Sequence, residues 1–237
     1  MQTLNQIVYE IRNIYKAHAD DSQITNRLIA QYIKEARAKL LEEDISKGKI
    51  VSDEFVQTLP CVEFEPFNFD GVCCNENFTF DTCMMRSVEK IPTTVQRNAT
   101  NFITAVQAVD LSKDYSETSY KRYKYNKYNR FTKHSVRWFL RNGYMFLSNT
   151  KEIKYLSISG IFADPEEIGA FTSCEGNACF DWDAPYPIAA GMVKRVVDIV
   201  IKERLLVSLY MKEDLDNDAK DKEAQEAQRQ PRNQRYV

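Results

Sequence analysis

At 237 residues and 27.6 kDa, the chain is long enough for one compact domain or two small ones sharing a core, and too short for a large multi-domain machine. Apolar residues at 43% and charged residues at 28% exclude a wholly disordered chain. With 32 Lys and Arg against 34 Asp and Glu, the net charge of -2 gives no global attraction to nucleic acid or to an anionic membrane, so any charge-driven role must be local.

The first element is an amphipathic helix, because Leu4, Ile7, Val8, Ile11, Ile14 and Tyr15 recur at steps of three and four. Asp20-Asp21-Ser22 supplies N-cap residues for a second helix, whose stripe runs through Ile24, Leu28, Tyr32, Ile33, Ala36, Leu40 and Leu41 before Lys47-Gly48 stops it. From Val51 to about Tyr155 the period changes to two. Val62-Glu63-Phe64-Glu65, Phe78-Thr79-Phe80-Asp81 and Phe102 to Val106 read as short strands. Val136 to Leu140 and Tyr144 to Ser148 form a hairpin around Arg141-Asn142-Gly143, where Asn-Gly suits a type I′ turn. Tyr155 to Phe162 is the last strand, and Pro165 opens a helical turn after Asp164. After the breakers Asp181 to Pro187, a stripe from Ile188 through Met192, Val196, Val200 and Leu206 predicts a third helix reaching about Met211.

The predicted fold class is therefore α+β. Residues 1–50 form a helical hairpin, 51–187 an inserted antiparallel β-rich domain, 188–212 a long C-terminal helix packing on the hairpin as a bundle, and 213–237 an extended or disordered partner-docking tail. In that tail Glu213 to Glu226 holds seven acids and two lysines, whereas Ala227 to Val237 holds Arg229, Arg232 and Arg235 with no acid and ends in Tyr236-Val237. A basic strip closed by an apolar pair suits an arm that docks on a complementary surface.

The sequence lacks the phosphate-loop, dinucleotide, nucleophile-elbow and zincin fingerprints, and no apolar run approaches the ~20 residues that span a bilayer. The N-terminus also lacks a signal-peptide pattern, and the expectation is a soluble, non-secreted protein. The six cysteines, Cys61, Cys73, Cys74, Cys83, Cys174 and Cys179, read chiefly as reduced structural residues, with disulfides and a metal site as lesser alternatives. The nearest zinc candidate is the C-x4-C pair Cys174 and Cys179, slightly too widely spaced for a knuckle. Asp164, Glu166 and Glu167 read as helix-start chemistry, and Asp181 and Asp183 as turn chemistry. His134 beside Ser135 reads as a surface or packing residue. No catalytic, cofactor-binding or metal-ligating residue is assigned.

The most unusual stretch is Tyr120 to Lys133, with six basic residues, five aromatics and no acid. Lys121, Arg122, Tyr123, Lys124, Tyr125, Lys127, Tyr128 and Arg130 give charge for phosphates and rings for bases, which suits nucleic acid. The same pattern suits an exposed β-ribbon or loop whose rings pack on a protein neighbour, and this reading is preferred because no RRM or OB pattern is evident.

Several strings resemble the ring, or head-to-tail adaptor, proteins of crAss-like podoviruses. They are Leu59-Pro60-Cys61-Val62-Glu63, Cys73-Cys74, Met85 to Val95, Asp164 to Ile168 and Asp183-Ala184-Pro185-Tyr186-Pro187-Ile188. The resemblance implies a non-enzymatic virion protein of the head-to-tail interface, assembled in the host cytoplasm as a homo-oligomeric ring. A dodecamer would follow the symmetry of the portal. It further implies contacts with the portal protein and with other ring, tail-hub or tail proteins, a transient passage of double-stranded DNA and no membrane. The rival class is a nucleic-acid-binding module using residues 120–133, with a zinc enzyme a distant third.

Overall fold

The computed structural model describes residues 2–16, 24–49, 52–67, 84–97, 100–126, 128, 130–132, 134–150 and 152–206. It is a mixed α+β structure whose large sheet has seven strands. The chain divides into two units. One comprises Met1–Leu4 and Arg37–Ala189, and the other Asn5–Ala36 and the chain from Ala190.

In the helical unit, α1 (Leu4–Lys16) buries Ile7, Val8, Ile11 and Tyr15, as its stripe predicts. Helix α2 (Asn26–Ser46) begins later than expected. Thr25 is its cap, the hydroxyl accepting the Leu28 N–H at 3.3 Å and the carbonyl accepting the Ile29 N–H at 3.2 Å, whereas Asp20, Asp21 and Ser22 lie outside the described residues. Of the predicted stripe Ile33, Ala36, Leu40 and Leu41 are buried; Leu28 is exposed, and Ile29 and Ala30 fill the buried face of the first turn instead. The Arg12 guanidinium donates to Asn26 Oδ1 at 3.2 Å, tying α1 to the start of α2. The C-terminal helix, predicted from Ile188, begins at Ala190. Pro185 and Pro187 hold the preceding residues out of helical pitch. Its α-helical part, Ala190–Ile199, passes into a π-helical turn, Val200–Leu205, and residues beyond 206 lie outside the described residues. Met192, Val193, Val196, Val197, Val200 and Leu205 are buried, and Arg204 donates to Glu35 at 2.9 Å with its guanidinium 5.7 Å from the Tyr32 ring.

In the β unit, the second half of α2 ends as the sequence predicts. Gly48 takes a φ of 73°, its N–H donates to the Ile45 carbonyl at 3.0 Å, and the Lys49 N–H donates to the Asp44 carbonyl at 3.0 Å. These are the paired bonds of a Schellman stop. The strands are β1 (Gln57–Pro66), β2 (Met84–Ser87), β3 (Gln96–Arg97), β4 (Thr100–Asn101), β5 (Ile103–Ala108), β6 (Ser116–Glu117), β7 (Arg137–Arg141), β8 (Tyr144–Ser148) and β9 (Tyr155–Gly160). The large sheet runs β5-β9-β1-β2-β8-β7-β6, antiparallel except for the β6–β7 pair, while β3 and β4 form a separate two-stranded ribbon. Strand β1 joins two halves of the sheet. Its residues 57–63 pair with β9, and 64–66 with β2. The β7–β8 turn is the predicted type, with Asn142 at φ 54° and Gly143 at φ 81°. Gly160 permits a close approach, because a Cβ there would stand 3.0 Å from the Phe102 carbonyl oxygen. Phe78 to Asp81 lies outside the described residues.

Strands β2, β7 and β8 are buried on both faces. Met85, Trp138, Met145 and Leu147 join the main core with Leu59, Val62, Leu156, Ile158 and Phe162, whereas the alternate residues Met84, Phe139 and Phe146 form a smaller cluster on the opposite face. This two-sided burial explains why β2 shows no polar alternation in the sequence.

Two long-range ties complete the unit. Arg37 is wholly buried; its Nε donates to the Pro187 carbonyl and its Nη1 to the Phe162 carbonyl, each at 2.8 Å. Its guanidinium lies 5.9 Å from the Tyr186 ring. Burial holds the Arg37 pKa below its ordinary value, with Tyr186 and Asp164 opposing that shift, and pushes the Tyr186 hydroxyl well above the tyrosine range. The second tie corrects the expectation of reduced cysteines, because Cys61 and Cys174 form a disulfide with their Cα atoms 5.2 Å apart. A bulge in β1 between Leu59 and Val62 removes Cys61 from regular pairing with β9. Cys174 sits in a small loop closed by Ser173 N–H to Asn177 carbonyl (2.7 Å) and Cys179 N–H to Phe171 carbonyl (3.1 Å). At a sequence separation of 113, the partners leave no local signal.

Replacing Arg37 by Met orphans two buried carbonyls at about 1–3 kcal/mol each, so a loss of several kcal/mol is expected in denaturant unfolding. Arg37→Lys should lose much of it as well, since one ammonium cannot reproduce the fork. A change below ~0.5 kcal/mol for both would show that the tie is dispensable. Cys61→Ser with Cys174→Ser should cost about 2–4 kcal/mol in non-reducing buffer, and most of the difference from the parent chain should vanish under reductant. Equal unfolding midpoints without reductant would show that the bond contributes nothing.

Candidate interaction surface

The residues between β6 and β7 are neither a strand nor a ribbon. They form successive turns with one helical turn, α3 (Tyr123–Asn126), which corrects the β-ribbon alternative. The first turn is closed by Arg122 N–H to Ser119 carbonyl (2.8 Å) and Tyr123 N–H to the same oxygen (3.0 Å). At the far end the Ser135 hydroxyl donates to the Thr132 carbonyl (2.8 Å), and Asn149 Nδ2 donates to the Ser135 carbonyl (3.0 Å).

The loop is rooted on the smaller aromatic face of the sheet. Tyr123 stacks on Phe139 at 5.0 Å between centroids, Phe139 stacks on Phe146 at 5.3 Å, and Phe67 meets Phe146 edge-on at 5.1 Å. Cations rim this stack. The Arg141 guanidinium lies 4.1 Å from the Tyr120 centroid, and Arg86 lies 4.9 Å from Tyr144 and 5.4 Å from Phe67 while bonding Glu65. Lys90 approaches Tyr144 at 5.8 Å.

From that root the loop projects aromatic surface outward. Tyr125, Tyr128 and Phe131 are 72%, 79% and 88% exposed, although large rings normally bury most of their area. Lys121, Arg122 and Arg130 are exposed beside them and have no carboxylate partner among the described residues. Of the predicted contact residues, Tyr123 therefore turns inward as an anchor. Lys121, Arg122, Tyr125, Tyr128 and Arg130 face solvent. The Lys124 side chain, Lys127 and the docking residues Arg229, Arg232, Arg235 and Tyr236 lie outside what is described.

The remaining polar candidates have structural duties. Asp164 caps the 3-10 turn Pro165–Ala170 by accepting the Glu166 N–H at 2.8 Å, and Glu167 accepts the Thr93 N–H at 3.2 Å. Asp181 accepts the Asp183 N–H at 3.3 Å. The Cys174–Cys179 pair is not a knuckle, because Cys174 is bonded to Cys61. Cys179 is a half-buried free thiol whose pKa burial raises. His134 is exposed. Among the described residues no three His, Cys, Asp or Glu side chains group as a metal site, and no helix is long and apolar enough to cross a membrane. An open cleft of about 640 Å³ beside the disulfide is lined by Cys61, Glu63, Val88, Tyr155 and Phe171, among others.

Sequence reasoning found the cationic, aromatic composition of the loop but missed its anchor. The signal was present in the unbroken apolar runs Trp138-Phe139-Leu140 and Tyr144-Met145-Phe146-Leu147, which mark strands covered on both faces.

No curated protein matches the chain. A family model described as phage tail ring protein 2 matches residues 6–226, which takes in both units, the aromatic-cationic loop and the acidic run. The resemblance in those strings thus has its family: the chain belongs to the phage tail ring protein 2 family of crAss-like phages, and is a structural component of the tail and virion.

Proposed function

We propose that the chain forms a homo-oligomeric ring in the head-to-tail connector below the portal, continuing the DNA channel and offering an attachment platform for the tail. The observation that carries this reading is the family match over residues 6–226. The role is architectural, without catalysis or cofactor. The subunits assemble in the host cytoplasm, and the ring is a dodecamer if it follows the symmetry of the portal. Hairpin and C-terminal helix act as a bundle, and residues 51–187 as the inserted domain that meets other ring, tail-hub or tail proteins. Arg204 bonding Glu35 within the helical unit supports the bundle. Arg229, Arg232, Arg235 and Tyr236 dock the tail on the portal protein, one weak contact per subunit multiplying around the ring as avidity. DNA passes through without being gripped, consistent with a net charge of -2.

A second reading rests on Lys121, Arg122 and Arg130, which have no counter-charge among the described residues, and makes the protein a nucleic-acid-binding module. It predicts salt-dependent binding of single strands that disappears when Lys121, Arg122, Lys124 and Lys127 are replaced by Gln. Persistence of binding in that variant would remove this reading.

The ring reading predicts that the full chain mixed with the portal protein of the same genome gives a ring mass by native mass spectrometry. A chain ending at Glu226 should fold and assemble but lose portal binding. A full chain that stays monomeric with and without portal overturns the ring, and full portal occupancy by the shortened chain overturns the docking role of the last eleven residues.

A further inference from the structure

We propose that the aromatic-cationic loop between β6 and β7 is the receptor for the acidic segment Glu213–Glu226 of a neighbouring copy of this chain. The inference rests on the ring reading and specifies one of its subunit contacts.

The first argument is charge. Residues 120–133 carry six cations and no acid, and Glu213–Glu226 carries seven acids and two lysines, so two nearly opposite charges are segregated on one chain whose total is only -2. Lys121, Arg122 and Arg130 are exposed and lack a carboxylate partner among the described residues. Such cations are the groups that a carboxylate-rich segment would satisfy, with Arg able to bind a carboxylate through two donors.

The second argument is the exposed aromatic surface. Tyr125, Tyr128 and Phe131 present flat apolar area that a peptide can cover with Leu215 and with the methylene stems of its Glu and Lys side chains. Duplex DNA offers these rings little, because its bases are already stacked inside and its outer surface is phosphate and sugar. A purely electrostatic DNA contact would need the cations but not the rings.

Geometry permits the contact. The loop is held at its root by the Tyr123–Phe139 and Arg141–Tyr120 contacts, so its receptor residues start from a fixed base. Glu213 lies seven positions after Leu206, a reach of up to about 25 Å when extended, and the acidic run itself can span up to about 45 Å. In a closed ring each copy supplies one loop and one acidic segment, so a heterologous contact of this kind leaves neither unmatched.

The test uses the full chain in two isotopic forms, mixed at high salt and returned to low salt, then coupled with a carbodiimide that joins lysine amines directly to carboxylates. Mixed-label peptides linking Lys121 to residues of Glu213–Glu226 are expected, and should fall at least tenfold when coupling is done at high salt. Lys121→Glu, Arg122→Glu and Arg130→Glu together should abolish assembly with the parent chain. Partnering that variant with Glu213→Lys, Asp214→Lys and Asp216→Lys should restore it, which a merely misfolded loop would not allow. Assembly that persists with only same-label links, or with none, overturns the docking and leaves the ring reading intact. Protection of Lys121 by an added DNA duplex without mixed-label links assigns the loop to DNA and also overturns it. A chain that stays monomeric in native mass spectrometry, with and without portal, overturns the ring reading itself, and the docking with it.

Discussion

The β unit depends on a charge placed where water cannot reach it. Arg37 carries a guanidinium out of α2 into the space between the carbonyls of Phe162 and Pro187, 125 and 150 residues away in the chain. A buried cation costs several kcal/mol to desolvate, and here carbonyl dipoles and the Tyr186 ring do most of the compensating. Among the described residues its Nη2 has no hydrogen-bond partner, so the compensation is incomplete. What the arrangement supplies is position. One side chain fixes the end of β9 and the Tyr186-Pro187 turn against the same turn of α2, and an unbranched apolar side chain such as methionine would leave both carbonyls unsatisfied.

The second constraint is the two-sidedness of β2, β8 and β7. Strands with one face on a core normally turn the other to water, but here Phe139 and Phe146 make that other face an aromatic platform. The platform gives the loop after β6 something to stand on. Tyr123 and Tyr120 use it, and the residues that follow are freed to present rings and cations outward. A loop of this composition without an anchor would lose more conformational entropy on docking, so the anchor favours binding by lowering that cost.

Local chemistry was legible in the sequence wherever the partner is close along the chain. Asn142-Gly143 between two apolar runs, Gly48 after a helical stripe, and Pro165 behind a capping Asp164 each specify their own geometry. The start of α2 was misread because three good capping residues, Asp20 to Ser22, compete with Thr25, and in the first turn Ile29 and Ala30 rather than Leu28 take the buried face. Arg37 was not legible, since a basic residue between Ala36 and Ala38 looks like a solvated position until its carbonyl partners are known. The Cys61–Cys174 bond was hidden in the same way, and the C-x4-C spacing drew attention to Cys179. The loop showed its composition but not its footing, because Tyr123 and Tyr125 are equivalent in sequence and only packing distinguishes anchor from exposed ring.

On the ring reading, these features divide the work of the molecule. The β unit is cross-tied by Arg37 and by the disulfide, both joining segments more than a hundred residues apart, so its surface is held firmly enough to present a defined receptor. The acidic run lacks a core-forming pattern, which suits a segment that finds its place on a partner. A receptor of cations and rings and an acidic ligand on one chain let every copy meet its neighbour through the same complementary pair, with the charges setting the register. Segregating opposite charges at nearly zero net charge achieves this without adding a field that would retain passing DNA.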